Sequence, residues 1–207
     1  MGGRLQGLYV IVDPAAGAAG RELELAAAAL DGGARLLQLR DKTREKGLQL
    51  PVAREMARLC REREALFIVN DHVDLALACG AHGVHVGQKD LPVAEVRRLV
   101  PPEFIVGCST NNVEEALAAQ AAGASYVSVG RLFPTGSKQD TRPATLDTLR
   151  AVKAAVQVPV CAIGGIDQSN IDDVLAAGAD MVAVIAAVAS APDPRLAARL
   201  LASRFRS

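Results

Sequence analysis

The chain has 207 residues, enough for one sizeable core and short for two domains. Half of it is apolar and only 3% aromatic, so Ala, Val, Leu and Ile must build the interior; that suits helices packed on a parallel sheet better than an aromatic-rich sandwich. Basic and acidic residues balance at 23 each, which argues against nucleic acid or an anionic membrane as the main partner and leaves room for a small anionic ligand, since that needs only a local cluster.

The opening segment, MGGRLQGLYVIVDP, enters a strand-like run at once, so no signal peptide is expected. No uncharged run reaches the roughly 18 residues of a membrane span. Cys60, Cys79, Cys108 and Cys161 form no CxxC pair. The expectation is a cytoplasmic protein with reduced, mostly buried thiols.

Eight apolar runs of strand length follow in order: 7–13, 36–40, 66–70, 83–87, 104–108, 126–130, 160–164 and 181–185. Most are continuous rather than alternating, as expected of strands covered on both faces. Between them, 21–33, 48–65, 113–124 and 145–156 carry apolar residues near i, i+3, i+4 and predict helices. Glycine follows a helical stretch at 33, 80, 123 and 178 and predicts C-caps. These glycines begin a repeat: GGARLLQL, CGAHGVHV, AGASYVSV and AGADMVAV precede the second, fourth, sixth and eighth strands. Four units of two strands and two helices predict a single (β/α)8 barrel domain over 1–207, with an open doubly wound sheet as the alternative.

In such a barrel the site lies at the C-terminal ends of the strands. After strand 2, alternation puts Gln38, Arg40 and Lys42 on one side, and two cations converging at a barrel mouth suit a phosphate or diphosphate. The bland reading is a solvated loop with an Arg–Asp pair. Asn70 and Asp71 follow strand 3, and Gln88 and Asp90 follow strand 4. Neighbouring strands bring the two acids within reach of each other, which suits Mg²⁺ beside phosphate oxygens. Asp71 could instead cap the helix HVDLALA, and Asp90 a turn. Ser109 after strand 5 is either a phosphate donor or a helix start. After strand 6, Thr135, Gly136, Ser137 and Lys138 make an anion-binding pattern that is no Walker motif. Gly164 and Gly165 after strand 7 would let an anion approach backbone amides. Ile185, Ala186 and Ala187 after strand 8 would start a short helix aimed at the same anion. His72, His82 and His85 are expected to be structural, with His72 on the third helix.

QLRDK (38–42), VND (69–71), HVGQKD (85–90), GCST (107–110), FPTGSK (133–138), AIGGI (162–166) and VIAA (184–187) occur in order over nearly the whole chain. Each is weak alone; together they resemble the thiamine phosphate synthase family. The resemblance implies a (β/α)8 barrel that joins 4-amino-2-methyl-5-pyrimidinylmethyl diphosphate to 4-methyl-5-(2-phosphoethyl)thiazole or its carboxylated form, releasing diphosphate. By that resemblance Gln38, Arg40, Lys42, Asn70, Ser109 and Lys138 would hold the pyrimidine diphosphate. Asp71 and Asp90 would bind Mg²⁺. Thr135, Gly136, Ser137, Gly165, Ile185 and Ala186 would hold the thiazole phosphate. Arg40, Lys42, Lys138 and Ser109 would act on the leaving group. Three positions depart from common versions: Ser137 for Thr, Ala186 for Ser, and His72 where a second Asp is frequent. The alternatives are a thiazole tautomerase of the same fold, a non-catalytic barrel that binds thiazole phosphate, and a sugar-phosphate isomerase or epimerase. The partners implied are small molecules only, with no nucleic acid and no membrane. Nothing in the sequence sets an oligomeric state.

Overall fold

The computed structural model describes residues 5–134 and 142–206. Eight strands, β1 (Gly7–Val12), β2 (Leu36–Leu39), β3 (Leu66–Asn70), β4 (Gly83–Val86), β5 (Ile105–Thr110), β6 (Tyr126–Val129), β7 (Val160–Ile163) and β8 (Met181–Val184), pair in sequence order and β8 closes on β1. Every pairing is parallel. The helices are α1 (Glu22–Asp31), α2 (Lys46–Glu62), α3 (Val73–Ala78), α4 (Val93–Leu99), α5 (Val113–Ala121), α6 (Leu146–Ala155), α7 (Ile171–Ala176), α8 (Ala186–Ala189) and α9 (Pro194–Ala202). The closed barrel stands, and the open sheet is excluded.

Strand alternation builds two cores. Leu8, Val10 and Val12 of β1 face outward into a large layer with the helices. Tyr9, Ile11, Leu36, Leu66, Ile68, Tyr126, Cys161, Met181 and Ala183 fill the barrel interior. Because both faces are covered, the strands read as unbroken apolar runs. The interior is tight: a Cβ on Gly107 would fall within the Tyr126 ring, so glycine there makes room for that aromatic. The repeat glycines 33, 80, 123 and 178 all have positive φ, between 69° and 99°, so each turns the chain from helix to strand where an L side chain would be strained.

Boundaries moved where local chemistry intervened. β1 stops at Val12 because Asp13 leaves the strand and caps a 3₁₀ turn, its side chain accepting from the Ala15 amide at 2.9 Å. β5 runs on to Thr110 rather than ending at 108. α2 starts at Lys46 and accommodates Pro51. His72 is not on the third helix; it is the extended residue at the N-cap of α3. α4 and α7 have seven and six residues, too short to display a helical period in sequence. Among the described residues no helix is long and apolar enough to cross a membrane. All four cysteines are free and buried.

Candidate active site

The C-terminal mouth of the barrel opens into a cavity of about 1140 Å³. Gln38, Arg40, Lys42, Asn70, Asp71, Asp90, Ser109, Gly165, Ile185 and Ala186 all line it. Thr135, Gly136, Ser137 and Lys138 lie outside the described residues.

The β2 side is anchored by charge. Arg40 does not pair with its neighbour Asp41; its guanidinium is bonded to Asp13 at the end of β1, which is 1% exposed. Asp41 instead accepts from the Thr43 amide at 2.9 Å, the Thr43 hydroxyl at 2.8 Å and the Arg44 amide at 3.1 Å, and is bonded to the Arg44 guanidinium. Burial works against the Asp41 carboxylate, but these donors outweigh it and hold its pKa down at about 2. The loop is thereby folded on itself, and Lys42 reaches into the cavity beside it.

The two acids meet. Asp71 has φ +61°, unusual for a non-glycine residue, and its amide donates to the His85 carbonyl of β4 at 2.8 Å. Asp90 turns back onto the same strand, accepting from the Gly87 amide at 2.8 Å; a Cβ on Gly87 would sit 2.9 Å from that carboxylate. Asp71 by its amide and Asp90 by its carboxylate are therefore tied to the end of β4, and the two carboxyl groups adjoin. Burial, then the neighbouring Asp90 charge, push the Asp71 carboxyl above its ordinary range, while Lys42, 3.2 Å away, pulls it down by less. The bland reading of Asp71 as a helix cap fails, because His72 occupies the N-cap of α3. Two adjoining hard oxygen donors, one reluctant to ionise beside the other, form a donor set that suits a divalent cation. Among the described residues no group of three or more His, Cys, Asp or Glu converges as a metal cage.

Ser109 is no helix start either: Asn112 caps α5, accepting from the Glu115 amide at 2.8 Å. Ser109 sits in β5, and its Oγ lies 2.9 Å from His85 Nε2. His85 Nδ1 lies 2.9 Å from the Tyr126 hydroxyl, which lies 3.1 Å from that of Tyr9. Gln38 Nε2 donates to the Tyr9 hydroxyl at 2.6 Å. A chain of polar groups thus crosses the barrel floor from β2 to β5.

The opposite side is backbone. Gly164 and Gly165 have φ of +106° and +64°. Their carbonyls are engaged, by the Phe133 amide at 3.0 Å and by Asn170 Nδ2 at 2.9 Å. Ile185 precedes α8, and among the described residues the Gly165 and Ala186 amides have no acceptor.

Residues 8–188 match the family model described as thiamine monophosphate synthase. The thiamine-phosphate synthase of Methanospirillum hungatei is 46% identical over 197 residues, covering 95% of this chain and 96% of that protein. That of Thioalkalivibrio sulfidiphilus is 45% identical over 205 residues, covering 99% and 97%. The chain belongs to the thiamine monophosphate synthase family. Its activity is thiamine-phosphate synthesis, a group transfer, and these relatives favour that reading over the tautomerase. The solved thiamine phosphate pyrophosphorylase of Pyrococcus furiosus superposes with a TM-score of 0.91 at 38% identity, covering 98% of this chain and 96% of that one. A 3-hexulose-6-phosphate synthase, at 19% identity and a TM-score of 0.68, shares the fold alone.

Sequence reasoning about this synthase-family site missed Asp13, Tyr9, Tyr126 and His85. Asp13 was legible as one more acid at a strand end. The tyrosines read as apolar core, and His85 as a structural histidine; it does join a buried network, but that network opens into the cavity.

Proposed function

We propose that this cavity joins a pyrimidinylmethyl diphosphate to a thiazole phosphate, giving thiamine phosphate and diphosphate, and that its two sides divide the two anions between them. One observation carries the reading: a single cavity has one side built of Arg40, Lys42, Asp71 and Asp90 and another that presents the Gly165 and Ala186 amides, which have no acceptor among the described residues. The first suits the more highly charged diphosphate, with Gln38, Asn70 and Ser109 alongside. The second suits a monophosphate, and the family resemblance would add Thr135, Gly136 and Ser137 to its contacts.

The bond that breaks joins the diphosphate oxygen to a methylene on an electron-rich aminopyrimidine. Its departure leaves a stabilised carbocation that the thiazole nitrogen captures, so no protein nucleophile is required. Arg40 and Lys42, with Lys138, offset the charge that grows on the leaving oxygens. The Asp13 contact fixes the Arg40 guanidinium before substrate arrives, which lowers reorganisation during the step. Asp71 and Asp90 would hold Mg²⁺, which when bound supplies further positive charge to the diphosphate. Ile11, Ile163 and Ala183 line the cavity beside that site and would help exclude water from the cation. Balanced charge and four buried free thiols support a cytoplasmic enzyme acting on small molecules.

The test is direct. Purified protein with both substrates and Mg²⁺ should form thiamine phosphate, and a chelator should suppress it. Formation undiminished by chelator would remove the metal from the scheme; no product would remove the substrate pair.

A further inference from the structure

The polar chain across the barrel floor has a direction, and that direction bears on Ser109. Tyr9, Tyr126, Gln38 and His85 are all buried, with exposures of 2%, 0%, 2% and 8%, so the near acceptors for their protons are one another. Burial raises both tyrosine hydroxyls well above their ordinary range, so each keeps its single proton. Gln38 Nε2–H is spent on the Tyr9 oxygen. With that donor fixed, the next two contacts, 3.1 Å and 2.9 Å long and open to either direction, are assigned in the same sense: Tyr9 O–H to Tyr126, and Tyr126 O–H to His85 Nδ1. An imidazole that accepts at Nδ1 carries its proton at Nε2, and that N–H donates to Ser109 Oγ. The Ser109 oxygen, already accepting from below, has its own O–H left for the cavity, which it lines. Run in the opposite order, the same chain would draw the Ser109 proton inward onto His85 and turn the serine into an acceptor, unfit to meet an anion.

We propose that His85, set by Tyr126, Tyr9 and Gln38, is a positioning residue that makes Ser109 a hydrogen-bond donor to the diphosphate substrate. This rests on the reading of Ser109 as a contact of that substrate. His85 itself is turned away from any ligand at both ring nitrogens. Its ring stacks on Tyr126, with centroids 5.5 Å apart and planes 29° apart, which holds Nε2 on the serine. The effect is on the leaving group, whose charge grows in the transition state, so a misdirected serine lowers kcat more than it raises KM.

The experiment measures kcat and KM for both substrates in the Mg²⁺-loaded enzyme, with melting temperature as a fold control. His85→Asn keeps a group near Nδ1 and loses the one that reaches Ser109; kcat is expected to fall about ten- to a hundredfold, the scale of one hydrogen bond to a charged group. His85→Gln, whose amide N–H reaches the Nε2 position, should recover most of it. Tyr126→Phe preserves the stacking and removes only the ordering hydroxyl, so it should lower kcat in the same sense even where His85 variants fold poorly. In a Ser109→Ala background, His85→Asn should cost little more, because the group it positions is gone. Wild-type kcat in folded His85→Asn, or losses that multiply with Ser109→Ala, would overturn the proposal. A harmless Ser109→Ala would instead overturn the assignment of Ser109 to the substrate.

Discussion

The two sides of the cavity are built of different material. The β2–β4 side is made of charged side chains, already paired with one another; the β7–β8 side presents backbone amides. Within the first side the pairs also differ. Arg40–Asp13 is almost fully buried, with side-chain exposures of 15% and 2%, so it is a permanent fixture. Lys42–Asp71 leaves the lysine 56% exposed; a pair that open is worth under about 1 kcal/mol, so either partner can be released to a ligand. The Gly165 and Ala186 amides on the other side have no acceptor among the described residues. Lys42 and Asp71 can change their partners; the amides can only be present or absent. Mutations should therefore act on the first side through charge and on the second through shape.

The largest effect is expected at the paired acids. Asp71→Asn or Asp90→Asn should lower turnover by about a hundredfold or more while leaving the fold intact, on the scale of losing one preorganised electrostatic group. Asparagine tolerates the left-handed backbone at 71, so strain is not introduced. Titration of Mg²⁺ against rate checks the assignment; a variant with unchanged metal dependence excludes that residue as a ligand.

Arg40→Met tests permanence. It strands the buried Asp13 carboxylate, and should cost about 3 kcal/mol of stability together with most of the activity. Denaturant melts read the first and steady-state rates the second. Loss of activity without loss of stability would mean that Asp13 is solvated and the pair exchangeable after all.

On the backbone side, Gly165→Ala should raise the KM for thiazole phosphate several-fold and spare that for the pyrimidine diphosphate. The new Cβ would lie 2.6 Å from the Pro134 carbonyl and 2.8 Å from Phe133 Cβ at a φ that alanine resists, so the amide must move; the strain is about 1 kcal/mol or more. Equal shifts in both KM values would erase the division between the sides.

The smallest effect concerns the loop that carries Lys42. Asp41 has a folded pKa of about 2, below its unfolded value near 4, so its stabilisation is complete above about pH 4 and is lost as pH falls towards 2. Asp41→Asn should flatten that part of the stability profile, a change of a few degrees in melting temperature. An unchanged slope between pH 4 and pH 2 would show that the carboxylate gains nothing from its donors.

How much of this was legible beforehand depended on the range of the interaction. The eight strands, their parallel closure and the helix-ending glycines follow from the sequence by itself, because apolar period and φ preference are properties of a few adjacent residues. The strand-end position of Gln38, Arg40, Asp71, Asp90 and Ser109 follows too, since alternation and the barrel rule place them. Sequence could not decide among partners. Asp41 stands next to Arg40 in the chain, yet Asp13 holds that guanidinium, because β1 and β2 are neighbours in the barrel and the Asp41 loop folds onto Arg44. For Asp71 the sequence left a helix cap open as the alternative to a metal ligand; in the fold β4 takes its amide and His72 holds the N-cap. Tyr9 and Tyr126 are 117 residues apart and look like core, and His85 looks like an ordinary buried histidine. Only closure of the barrel brings their polar ends together, because a hydrogen bond between distant strands depends on register and orientation, which no local pattern encodes.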